Sequence, residues 1–265
     1  MKEIASKWYK ILNFPTEFDA QFSELLNGSQ YLENLSVETF DESKYSPEET
    51  LVYYLYFCEN LEKKYQTAGI ERAVLLDTLS DLVIWCKVHN SLTGKIGVAE
   101  SSWVKRHLSF RLFKLGRLQF CMDEFSKDYD EIKVKKGESV LEIHIPETGK
   151  LDVNECEKSI NRAKEFFSKY FPDFKYEYFS CHSWLLDETL KELLSENSNI
   201  IKFGNMFTKL DKDESYAILK YTFKWNTRRE NLHNFISTSS FCEKIKTRID
   251  NGGKFYQGFG IIKRI

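Results

Sequence analysis

From Met1 to Leu115 the apolar positions recur at helical spacing. Ser46-Pro47-Glu48-Glu49 reads as a capping box with proline at the first helical position. Leu51, Tyr54, Leu55, Cys58, Leu61 and Tyr65 then share a face, and Gly69 ends that helix. Val74, Leu75, Leu79, Leu82 and Trp85 predict a second helix stopping near Gly94. A third is predicted from about Ser101, with Trp103, His107, Phe110 and Phe113 on one face. These stripes predict a helical domain without evident chemistry.

The period changes at Gly116. Arg117–Phe125 and Ser139–Ile145 alternate like strands, and Pro146 breaks the second. Asp152-Val-Asn-Glu155 predicts another capping box, opening a helix through Ile160, Ala163 and Phe166-Phe167 to Tyr170. Tyr176–Trp184 reads as a strand, Asp187–Leu194 as a short helix, and Ile200–Phe207 and Ser215–Trp225 as two more strands. A helix over Thr238–Ile249 ends at Gly252-Gly253, and Phe255–Lys263 closes as a strand; Glu131–Lys135 is a weak further candidate. The strand–helix–strand unit at the centre predicts a parallel pair with a right-handed crossover. Hairpin-like neighbours make the sheet mixed. The expected fold is α+β: a helical domain over 1–115, then a mixed sheet with flanking helices over 116–265.

The composition suits a folded core: 42% of the 265 residues are hydrophobic and 15% aromatic. A net charge of -2 gives no basic field to draw nucleic acid or an anionic membrane. The N-terminus lacks the apolar core of a signal peptide, and no run has the length of a membrane span. A cytoplasmic protein is the expectation. The six cysteines show neither CxxC nor zinc-ligand spacing, so they read as reduced, buried small hydrophobes and no metal is expected.

Chemistry concentrates after the predicted strand at Tyr176. There a thiol, an imidazole, a hydroxyl and an indole stand in a row, Cys181-His-Ser-Trp184. Polar groups at the carboxyl end of a strand face the crevice where ligands bind in open α/β sheets. The structural alternative, that they only cap and pack, is the stronger one for any single residue of the four.

Leu115-Gly-Arg-Leu-Gln-Phe120, Ile143-His-Ile-Pro146 and the helix positions Ser159, Ala163, Phe166 and Phe167 carry a family resemblance. Cys181-His-Ser-Trp-Leu-Leu-Asp187 with Ser198-Asn-Ile200 carries it most specifically. In these motifs the chain resembles N-acyltransferases with an N-terminal helical domain and a C-terminal GNAT-like domain. The resemblance implies an acyl-CoA, such as acetyl-CoA, held where two parallel strands splay, here Leu141–Ile145 and Tyr176–Trp184. The backbone of Ile143 and Ile145 would then pair with the pantetheine amides, and Gly149 and Lys150 would serve the phosphate loop before the next helix. The acceptor would be an amine on a small molecule or peptide.

The loop departs from the family's glycine-rich pattern. Only Gly149 permits close backbone approach, while Glu147 and Asp152 oppose a pyrophosphate. Two alternatives therefore stay open: a binding module on a GNAT scaffold that has lost catalysis, or an acyltransferase with a donor other than CoA. Gln257-Gly-Phe-Gly260 matches the loop pattern in part but has no helix after it.

His144 and His182 each stand near the carboxyl end of one strand of the proposed pair. As base or proton relay, either suits acyl transfer to an amine, which requires removal of an ammonium proton. Taken singly, each is better explained as a histidine bonded within the sheet. Cys181 reads as a structural thiol, since adjacent strand residues point to opposite faces and His182 cannot activate it. Lys105, Arg106, Arg111, Lys114 and Arg117 form an acid-free run that either meets the 3′-phosphate of CoA or, more simply, faces solvent.

Overall fold

The computed structural model describes residues 1–28 and 35–264. Its contacts divide the chain into two compact units, Met1–Leu115 and Gly116–Ile265. Among the described residues no helix is long and apolar enough to cross a membrane.

The first unit holds α1 (Lys2–Ile11), α2 (Asp19–Gly28), α3 (Pro47–Thr67), α4 (Arg72–Thr93), α5 (Ser101–Leu108) and strand β1 (Leu112–Leu115). The predicted capping box opens α3: the Glu49 amide donates to Ser46 Oγ at 3.1 Å, and the Ser46 amide donates to Glu49 Oε2 at 2.9 Å. Gly94 ends α4 with φ +74. The third predicted helix is shorter than expected. It stops at Leu108, Phe110 turns the chain with φ +59, and Phe113 falls on β1 rather than on the helix face.

Inside this unit, Asp81 is buried and gathers three donors from α4 and α5. Its Oδ2 accepts from the Trp85 indole at 3.0 Å and the Trp103 indole at 3.2 Å, and lies 3.1 Å from His107 Nε2. A buried carboxylate survives only when paired and hydrogen-bonded in this way.

In the second unit come β2 (Leu118–Glu124), β3 (Ser139–His144), α6 (Val153–Tyr170), β4 (Tyr178–Ser183), α7 (Asn199–Gly204), β5 (Thr208–Glu214), α8 (Ala217–Thr222), α9 (Ser240–Asp250) and β6 (Tyr256–Lys263). Strand order in this unit's sheet is β2-β3-β4-β6-β5. β3 and β4 are parallel and joined through α6; the β2–β3, β4–β6 and β5–β6 pairs are antiparallel. The sheet is mixed, as its element order predicts.

Five sequence expectations are corrected here. Ile200–Phe207 is not a strand: Ser198 Oγ accepts the Ile201 amide at 3.2 Å and caps α7, and the strand begins only at Thr208. Ser215–Trp225 contains α8 instead of a strand, with Ile218 and Leu219 buried. Asp187–Leu194 forms no α-helix; 3-10 turns run over Trp184–Leu186 and Glu188–Glu192. The second capping box is also half made, since Asp152 Oδ1 accepts the Glu155 amide at 3.1 Å without the reciprocal bond. The weak strand at Glu131–Lys135 reduces to a single bridge, Tyr129 to Val134.

After β4 the chain crosses over β6, and the crossing explains Gln257-Gly-Phe-Gly260. A Cβ at Gly258 would lie 2.8 Å from the Leu186 carbonyl oxygen, and one at Gly260 would lie 2.9 Å from Phe207 Cβ. These glycines clear space for a backbone. Gly258→Val should therefore destabilise the chain by about 1–3 kcal/mol through overpacking. A melting temperature equal to that of the unaltered chain would refute the crossing as a tight contact.

Candidate active site

Each central strand keeps its outer partner to the end. β3 pairs with β2 from Ser139↔Glu124 to His144↔Gln119, and β4 pairs with β6 from Tyr178↔Lys263 to Ser183↔Gly258. Between β3 and β4 the register holds only at Leu141↔Phe179 and Glu142↔Ser180. Beyond that point both strands continue without pairing to each other. A parallel sheet that opens at the carboxyl ends of its central strands presents main-chain donors and acceptors in a slot.

Parallel register puts Glu142 beside Ser180, so strand alternation places His144 and His182 on one face. His144 Nε2 lies 3.0 Å from Glu142 Oε2, two residues back on the same face, with both side chains about four-fifths covered. His182 is more open, its side chain 41% exposed and its Nε2 3.9 Å from Asp213 Oδ2 on β5. The Phe259 ring meets the His182 ring edge-on at a centroid distance of 6.4 Å, and Tyr129 stacks on Phe259 at 5.0 Å. The Gln257 side-chain amide donates to the His182 carbonyl at 3.3 Å. Sequence reading missed Glu142 and Asp213. The first left a signal in the Glu142-x-His144 alternation; the second depends on a long-range pairing and left none.

Cys181 faces the opposite side and is fully buried. Burial pushes its thiol well above the ordinary cysteine value, and the Glu142 charge adds to that. It is a packed thiol beside the slot and a poor nucleophile.

Of the other sequence candidates, Ile143 is buried at the last rungs of β3 and Ile145 follows the strand's end, half-buried. Gly149 sits exposed with φ +61 in the loop to α6, next to exposed Lys150. Asp152 occupies the Glu155 amide at the α6 N-terminus, and the Cys156 amide goes to the Asp152 carbonyl at 3.0 Å. The basic run does not form one helix face. Lys105 and Arg106 lie on α5, Arg111 follows that helix, Lys114 lies on β1, and Arg117 turns its guanidinium onto the loop. Among the described residues no His, Cys, Asp and Glu group has the arrangement to hold a metal ion.

Comparison with known proteins agrees with this geometry. Residues 112–262 match a GNAT-like C-terminal domain, and residues 17–110 match an N-acyltransferase N-terminal domain. Among solved structures, an acyltransferase mutant in complex with octanoyl-CoA shares the fold with a TM-score of 0.81 at 21% identity, covering 99% of this chain and 88% of that one. An acyltransferase in complex with decanoyl-CoA and teicoplanin gives a TM-score of 0.77 at 23% identity, over 98% of this chain and 88% of the other. A third, with decanoyl-CoA, gives 0.76 at 24%, with the same coverage. No curated protein matches. With more than half its length matched, the chain belongs to the family of the GNAT-like C-terminal domain.

Proposed function

We propose that this protein is an N-acyltransferase that moves an acyl group from an acyl-CoA to an amine. The observation that carries the reading is the opening between β3 and β4, where pairing ends at Glu142↔Ser180 while both strands run on to His144 and Ser183. Pantetheine carries two amides and fits an exposed strand edge as a further strand does. The facing edges at Ile143–His144 on one side and Cys181–Ser183 on the other offer that ladder. Similar solved structures hold octanoyl- and decanoyl-CoA, which supports the same ligand class and points beyond acetyl. Teicoplanin in one of them supports a small-molecule acceptor.

In the proposed reaction the amine nitrogen attacks the thioester carbonyl. The C–N bond forms as the C–S bond breaks, and the thiolate leaves to take up a proton. The amine must first lose its own proton. His182, exposed on the slot face, is the base or relay; His144, held against Glu142, is the second candidate. Attack is direct, since Cys181 is buried on the other face with its thiol firmly protonated.

One observation favours a non-catalytic scaffold: the Asp152 carboxylate already caps the helix that would meet a pyrophosphate. Thermal shift distinguishes the two. Octanoyl-CoA at about 100 times its Kd should raise stability by about 2.7 kcal/mol, seen as a melting-temperature rise of several degrees. No shift with acetyl-, octanoyl- or decanoyl-CoA would end the acyl-CoA reading.

A further inference from the structure

We infer that Arg117 is a positioning residue for the donor's pyrophosphate, acting through the backbone of the loop between β3 and α6. The inference rests on the acyl-CoA reading above and adds the device that replaces a glycine-rich phosphate loop.

The anchor begins at Gly116, which has φ +89. A Cβ there would stand 2.8 Å from Ser159 Oγ, so a side chain is excluded on both counts. That close approach lets Ser159, buried midway along α6, accept the Arg117 amide at 2.7 Å and the Leu118 amide at 3.3 Å. Arg117 is thereby fixed to α6 by its own main chain. Its side chain then reaches the loop that leads into that helix. Nε donates to the Lys150 carbonyl at 2.9 Å, and Nη1 donates to the Pro146 carbonyl at 3.1 Å.

These two carbonyls lie at the two ends of the loop, so one rigid planar fork sets its span. Among the described residues no peptide bond is cis, and a trans planar peptide points its C=O and N–H in opposite directions. With the Pro146 and Lys150 carbonyls turned onto Arg117, the amides of Glu147 and Leu151 point away from it. Both N–H groups thus lie on the side of the loop away from Arg117, with the Thr148 amide turned back onto the Pro146 carbonyl at 2.8 Å. The guanidinium behind them offsets the carboxylates of Glu147 and Asp152. Only one glycine, Gly149, is then needed to complete the turn.

The test compares octanoyl-CoA with S-octanoyl-pantetheine, which lacks the pyrophosphate, by calorimetric titration of the full chain. Arg117→Ala and Arg117→Lys are both expected to weaken octanoyl-CoA binding about tenfold or more. Binding of the pantetheine thioester should stay within about twofold of the unaltered chain, because the splayed strands that hold it are untouched. Lysine keeps the charge but cannot span two carbonyls. Full recovery with Arg117→Lys would assign the effect to charge and overturn the bracing. Equal losses for both ligands would make Arg117 a general structural residue, and no loss would remove it from the site. Should Arg117→Ala fail to fold, Arg117→Lys and Arg117→Gln carry the same comparison. If the unaltered chain binds only the pantetheine thioester, the inference falls while the slot survives. If it binds neither, both readings fall.

Discussion

His182→Ala is expected to slow acyl transfer by roughly 10²–10⁴-fold, the usual contribution of a positioned proton-transfer group. Thiol release from octanoyl-CoA, with the best amine from a panel of primary amines, measures it. Folding should hardly change. The ring is 41% exposed and its 3.9 Å approach to Asp213 is a solvent-screened pairing. The loss should fall on kcat more than on the donor's KM, since the imidazole acts on the attacking amine while the main chain holds the donor. Cys181→Ala is the control. It removes a fully buried thiol from the other face of β4 and should leave the rate nearly intact. A folded but inactive Cys181→Ala would replace direct attack with an acyl-thioester on the enzyme. A fully active His182→Ala would pass the role to His144, whose partner Glu142 lies 3.0 Å away.

The largest expected loss of stability lies in the helical unit. Asp81→Ala should cost about 3–5 kcal/mol, because it removes the buried carboxylate on which His107 and two indoles converge. Denaturant unfolding followed by tryptophan fluorescence gives the measurement. A loss below about 1 kcal/mol would place the pair among those that contribute nothing net. The pH dependence has a fixed sign. Burial alone would raise the Asp81 carboxyl, but the His107 charge and the hydrogen bonds from His107, Trp85 and Trp103 outweigh it and hold the carboxyl low. A depressed carboxylate contributes fully above its unfolded value, about pH 3.9. That contribution is lost as pH falls further, through the lower folded value. The unaltered chain should therefore keep this contribution at neutral pH and lose it only in strong acid, whereas Asp81→Ala should lack that step.

Legibility followed the range of the forces involved. Ser46-Pro47-Glu48-Glu49 and Gly94 were readable because a cap is decided within four residues. β3 and α6 were readable because each buries a face and shows its period, and β4 as a short buried run opening on Tyr178-Phe179. The run from Ser198 to Trp225 was misread for a physical reason. Ile200, Ile201 and Phe203 form a short apolar cluster that suits a buried helix as well as a strand, and the deciding signal was the Ser198 cap. The true strand, Thr208–Glu214, lies at the sheet edge and reads Thr-Lys-Leu-Asp-Lys-Asp-Glu, polar enough to hide it. At the site, His144 and His182 were visible as residue types at strand ends. Their partners were less so, since Asp213 reaches His182 only through β6. Arg117 looked like one more surface cation because its carbonyl partners lie 29 and 33 residues along the chain.

The two-rung link between β3 and β4 also has a mechanical meaning. On one side β2 and β3 form a plate held along its full ladder, and on the other β4, β6 and β5 form a second. Among the described residues the plates pair at the Leu141↔Phe179 and Glu142↔Ser180 rungs, and α6 connects β3 to β4 along the chain. That helix is itself tied to the outer edge of the first plate, where Ser159 accepts the Arg117 and Leu118 amides. The two plates thus meet at a hinge two rungs long, and a small change in the angle between them would widen or narrow the gap without breaking a rung of either ladder.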